Sequence, residues 1–147
     1  MTKKEDYFTF DAYSPDRYLQ YLVSIVNGTD LQYTITLFVD GIIISGFLIS
    51  MERYFAGIKE KLTRQLDMEG DKKEKVIRYL TDQDHIMVDV EAEKDNPFPQ
   101  CIHMRDVTIM FAKDNLVKSK GLWWRGRIAQ VDGFTLGALE FEADEQA

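Results

Sequence analysis

Two runs of β-prone residues, Leu122-Trp123-Trp124-Arg125-Gly126-Arg127-Ile128 and Phe134-Thr135-Leu136-Gly137-Ala138-Leu139, flank an Asp132-Gly133 pair. Asp-Gly favours the tight type I′ turn, in which both central residues need positive φ. The stretch therefore predicts a β-hairpin closed at Asp132-Gly133, with strands over 122–130 and 134–140, and a core built on a sheet rather than on helices. A second Asp-Gly pair, Asp40-Gly41, lies earlier. Before it, Tyr33, Ile35, Leu37 and Val39 alternate with Thr34, Thr36 and Phe38, the period of two of a strand. After it, Ile42 to Ile49 is apolar on both faces, which predicts a central strand. Gly46 inside that strand marks a bend or bulge.

Helices frame these strands. Ser14-Pro15-Asp16 is a strong helix start, with serine as cap and proline where no N–H is needed. Tyr18, Leu22, Ile25 and Val26 follow at helical spacing, and Asn27-Gly28 ends the run. Ser50 caps a second helix with the apolar stripe Met51, Phe55, Ile58, Leu62 and Leu66. Gly70 breaks it, and a short helix carries Val76, Ile77 and Leu80. The charges at Lys59 to Lys61 and Asp71 to Lys75 read as a solvated face. Ile86 to Glu91 alternates as a strand, Cys101 to Met104 and Val107 to Phe111 give one or two more, and Lys113 to Gly121 reads as a polar loop. The fold class is α+β: an N-terminal helix, a small, strongly bent sheet or partly open barrel of Sm-like or SH3-like shape, and a helical insertion. One globular domain spans 14–141, with an arm at 1–13 and a tail at 142–147. A chain of 147 residues is long enough for one core of this kind.

The chemistry is mostly negative. The chain carries 25 acidic and 18 basic side chains, a formal charge of −7. That argues against a general nucleic-acid binder, because phosphate backbones attract basic surfaces. The single cysteine, Cys101, excludes an intrachain disulfide and a cysteine-rich zinc site. Cys101 and His103 share a strand face but make only half a metal site, and the plainer reading is a buried thiol beside a surface or rim histidine. There is no nucleophile elbow and no phosphate-cradling glycine loop, so no catalytic, cofactor or metal residues are assigned. The start lacks a signal peptide, and the longest apolar run, Leu37 to Met51, is too short for a membrane span, which makes the cytoplasm the expected location. Trp123, Arg125 and Arg127 should share one face of the closing strand, with Trp124 and Gly126 on the other. Such a rim could stack arginine on tryptophan, or could meet single-stranded nucleic acid or a protein.

Three segments resemble the gas vesicle accessory protein U family. They are Ile35 through Phe55, with Gly41, Ile44-Ser45-Gly46 and Tyr54-Phe55; Cys101-Ile102-His103-Met104-Arg105-Asp106; and Trp124-Arg125-Gly126-Arg127-Ile128 followed by Val131-Asp132-Gly133-Phe134-Thr135-Leu136-Gly137. The last is the most specific. The resemblance implies a non-enzymatic accessory factor of gas vesicles, the gas-filled protein shells that give cells buoyancy. It would act by protein contact in assembly or clustering, with the wall protein or other accessory proteins as partners and a homo-oligomer as the expected state. On this reading Trp123, Trp124, Arg125, Arg127 and Phe134 are the candidate interface. The front half is also similar in shape to an Sm-like barrel, so the rival function is RNA or nucleotide binding. A small hydrolase around Cys101 and His103 is a weaker third reading.

Overall fold

The computed structural model describes residues 14–82, 98–112, 115–118 and 121–139. The expected strand at 86–91, His85, the arm at 1–13 and the tail at 142–147 lie outside them. The described elements run α1 (Arg17–Thr29), β1 (Tyr33–Val39), β2 (Ile42–Ile49), α2 (Met51–Gln65), α3 (Asp71–Leu80), β3 (Cys101–Ala112), β4 (Asn115–Lys118), β5 (Trp124–Arg127), a 3-10 turn (Ile128–Gln130) and β6 (Gly133–Leu136). The strands form one antiparallel sheet in the order β4-β3-β2-β1-β6, with β5 also paired to β3. This is an α+β fold with a bent, open sheet.

The helix caps are chemical. Asp16, rather than Ser14, caps α1: its carboxylate accepts the Leu19 N–H at 2.8 Å. α1 runs through Gly28 to Thr29 and stops where Asp30 turns left-handed at φ 57°. The buried stripe of α1 is Leu19, Val23 and Val26, and Tyr18 stays half exposed. Ser50 caps α2 as expected, accepting the Arg53 N–H at 3.1 Å. The two helices are then clasped end to start. Arg53 donates to the Asp30 carboxylate at 2.7 Å, and the Met51 N–H donates to Asn27 Oδ1 at 3.0 Å. Arg53 thereby holds the Asp30 carboxyl below its ordinary value.

Alternation sorts the sheet into two faces. Ile35, Leu37, Ile44, Leu48, Ile102 and Met104 pack with Leu19, Val23 and Val26 of α1 in one core. Each such side chain contributes roughly 1.5–3 kcal/mol by leaving water. Thr36, Ser45, Ile49 and His103 are buried on the other face. There Thr36 Oγ1 and Ser45 Oγ share a 2.9 Å hydrogen bond, Thr36 donates to the Gly137 carbonyl at 2.8 Å, and Ser45 accepts the Leu139 N–H at 3.0 Å. The buried hydroxyl pair thus ties the end of the described chain across the sheet.

β3 is one long strand, not two, but it is interrupted where the sequence pattern breaks. Ser45 pairs Thr108 and Phe47 pairs Arg105, so three β3 steps oppose two on β2. Asp106 is the extra residue, left-handed at φ 49°. A Cβ on Gly46 would come within 2.9 Å of the Arg105 carbonyl oxygen and of Val107 Cγ1. Only glycine lets the bulge pack this closely.

The expected closing hairpin is not formed. β5 pairs with β3 and β6 pairs with β1 at the opposite edge, so the two runs never meet as a ladder. Asp132-Gly133 is not a tight turn, and Gly133 does not take positive φ, whereas Asp40 and Gly41 do, at 49° and 79°. Asp132 instead docks on that first turn: its carboxylate accepts the Asp40 N–H at 2.8 Å, and its own N–H donates to the Phe38 carbonyl at 2.9 Å. Tertiary pairing has overridden local turn preference. Part of the expected polar loop at 113–121 is also strand, since β4 pairs with β3. From β5 to β6 a flat sheet would place four strand spacings, roughly 19 Å. The steps from Arg127 to Gly133, half of them through the 3-10 turn, cover at most about 16 Å. The sheet must curl, and Ile128, fully buried, plugs the curl from within the link.

Gly41→Val should therefore lower unfolding free energy by about 1 kcal/mol or more. Gly133→Val, at ordinary φ with open space around its Cβ, should stay within about 0.5 kcal/mol of the parent. Urea titration of both variants checks the difference.

Candidate functional site

The closing motif lies where β5 pairs with the first half of β3: Cys101 opposite Arg127, Ile102 opposite Gly126, His103 opposite Arg125 and Met104 opposite Trp124. Trp124 and Gly126 share the face of Ile102 and Met104, and Trp124 packs against the core. Its indole lies across Gly126, where any Cβ would collide with the ring. Gly126 is therefore the seat of Trp124, and the Trp-Arg-Gly-Arg motif is in part a packing device.

On the opposite face, the Trp123 indole lies against Gly57 of α2, again with no room for a Cβ. Tyr54 meets the Trp123 ring edge-on, with centroids 6.4 Å apart. Tyr54 and Phe55 also pack on the His103 imidazole, at centroid distances of 4.7 Å and 6.1 Å. This aromatic cluster is what fastens α2 to the sheet. The signal for it in sequence was Gly57, a glycine inside a helix, which costs about 1 kcal/mol against alanine unless something needs the space.

His103 is 1% exposed, while Cys101 is only half-buried. The expected buried thiol and rim histidine are thus reversed, because strand pairing puts His103 under α2. Arg125 Nε donates to His103 Nε2 at 3.1 Å. An arginine can only donate, so Nε2 is the acceptor and the ring proton sits on Nδ1, which is buried without a partner among the described residues. Burial first, and the Arg125 charge second, push the His103 pKa down to about 3. No group of three potential metal ligands exists among the described residues.

The structure does not gather the five candidate interface residues into one rim. Trp123, just before β5, packs on the α2 side, whereas Trp124, the first residue of β5, packs on the core side; both are half-buried, and Arg125 and Arg127 are exposed beside them. Phe134 lies on β6, at the far edge, 5.8 Å from the ring of Tyr18. The surface left for contact at β5 is the arginine pair.

The family described as gas vesicle protein GvpU-like matches residues 16–139. The chain belongs to this family. Its GvpU-like match runs from the α1 cap to the end of the described chain and so takes in every described element. No curated protein and no solved structure matches the chain. Among the described residues of this gas vesicle family member, no helix is long and apolar enough to cross a membrane.

The His103 geometry sets a pH dependence. Below about pH 6.5 the unfolded chain binds a proton that the folded ring refuses, so stability falls with pH. The loss ends near pH 3, where the folded ring also protonates. His103→Leu should flatten the stability curve between about pH 6.5 and pH 4. Denaturation midpoints of parent and variant across that range check it; parallel curves would contradict it.

Proposed function

We propose that this GvpU-like protein is a non-enzymatic accessory factor that acts in the cytoplasm by protein–protein contact during gas vesicle assembly or clustering. The observation that carries the reading is the family match over residues 16–139. The site chemistry is compatible with it: the histidine among the described residues, His103, is sealed under α2 and serves packing. The partners are vesicle wall or other accessory proteins. The contact surface is centred on exposed Arg125 and Arg127, with the half-buried edges of Trp123 and Trp124 beside them and Phe134 as a second contact at β6. Arginine and tryptophan are enriched among residues that dominate binding energy.

Self-association belongs to the same reading. β6 is an edge strand with half-exposed Leu136, and the opposite edge of the sheet is formed by β4 and β5. Open edges of a small sheet tend to be paired or covered.

Arg127 is exposed and makes no ion pair among the described residues. Arg127→Ala should therefore leave the melting curve intact. It should alter vesicle yield or clustering in cells carrying the remaining gas vesicle genes. Trp123→Ala should act differently: loss of the ring from Gly57 lowers stability as well. A stable Arg127→Ala variant with unchanged vesicles would remove Arg127 from the interface, and deletion of the whole gene without effect on vesicles would remove the function.

A further inference from the structure

The helical insertion carries a second feature. α2 and α3 enclose a cleft of about 460 Å³ lined by Lys59, Thr63, Gly70, Lys73, Glu74, Ile77 and Arg78. Ile77 is buried and forms its apolar floor, whereas Lys59 and Arg78 are exposed and Lys73 is half-buried. None of these cations makes an ion pair among the described residues; Arg64 and Glu60, on α2, pair with each other instead. Against Glu74 alone, the lining has an excess of positive charge, on a chain whose formal charge is −7. An acidic chain that concentrates unpaired cations around one cleft has built a local attractor for anions.

We propose that the α2–α3 cleft is a docking groove for an acidic peptide segment of a partner protein, with Lys59, Lys73 and Arg78 meeting its carboxylates and Ile77 meeting an apolar side chain between them. The arrangement favours a peptide over a phosphate ligand. Lys59 stands on α2, and Lys73 and Arg78 stand on successive turns of α3, so the positive charge is spread along a groove rather than focused on one point. Glu74 interrupts it. A polypeptide with single charges at intervals can place an uncharged residue beside Glu74, whereas a polyphosphate cannot. No aromatic side chain lines the cleft to stack a base. The groove lies on the helical insertion, apart from the β5 arginines, and its test needs no vesicles.

The test is fluorescence anisotropy of a labelled oligoglutamate peptide with the full chain. Saturable binding is expected at low salt, weakening as ionic strength rises through about 0.15 M. Lys59→Glu, Lys73→Glu and Arg78→Glu combined should weaken it about tenfold or more. Glu74→Gln should tighten it. Should the triple variant fail to fold, the Glu74→Gln result decides: tighter binding supports the groove and unchanged binding overturns it. Absence of binding at low salt overturns it, as does undiminished binding by a triple variant that keeps the parent melting curve. Tighter binding of ATP or of an RNA oligonucleotide than of oligoglutamate overturns it in favour of a phosphate site.

Discussion

The sheet depends on the close approach of Gly46 to the bulge at Asp106. One extra residue in β3 changes which side chains face inward. Before the bulge the core takes even-numbered residues, Ile102 and Met104; after it Val107 is buried in the core and Ile109 packs against it. The bend also divides the outer edge of β3, so that its first half pairs with β5 and its second half with β4. Arg105 and Asp106 are secured around it. Arg105 stacks on the Phe47 ring at 4.2 Å and donates to Gln32 Oε1 at 2.9 Å, while the Asp106 carboxylate accepts the Gly121 N–H at 2.7 Å. That last bond fixes where the chain turns back toward β5. Edge sharing and the placement of the closing motif go with the bulge that this packed glycine admits.

The aromatic residues that look most like an interface in sequence are first of all fasteners. Trp124 needs the flat seat of Gly126, and Trp123 needs that of Gly57. Tyr54, Phe55 and the sealed His103 complete the joint between α2 and the sheet. An imidazole whose Nδ1 has no partner among the described residues, with a pKa near 3, is an expensive way to fill that space. With α2 anchored there, α3 packs on α2, and the basic groove lies between the two helices. The residues of the closing motif thus hold position in the fold.

What could be read in advance was local. The β1–β2 hairpin followed from strict alternation and an Asp-Gly turn with no competitor. Ser50 capped α2 because a serine followed by an amphipathic run has few other uses. The break between Met104 and Val107 was visible as a lapse in period, though it reads equally as a gap between strands and as a bulge within one. The second Asp-Gly misled, because its flanking runs found better partners in β3 and β1, and no local rule can weigh those distant ladders. The packing of Trp123 was equally out of local reach, since its seat at Gly57 is 66 positions away. The basic groove was hidden because its cations belong to two helices and, on each helix alone, look like solvated surface.

The measurement closest to the centre of this account is the unfolding free energy of Gly46→Ala. Its Cβ would press on the Arg105 carbonyl and on Val107, backbone and core that cannot move without opening the bulge. The account predicts a loss of about 1–3 kcal/mol, the range for overpacking a tight site. Chemical denaturation showing parental stability for Gly46→Ala would contradict it and would mean that β2 and β3 do not meet as described.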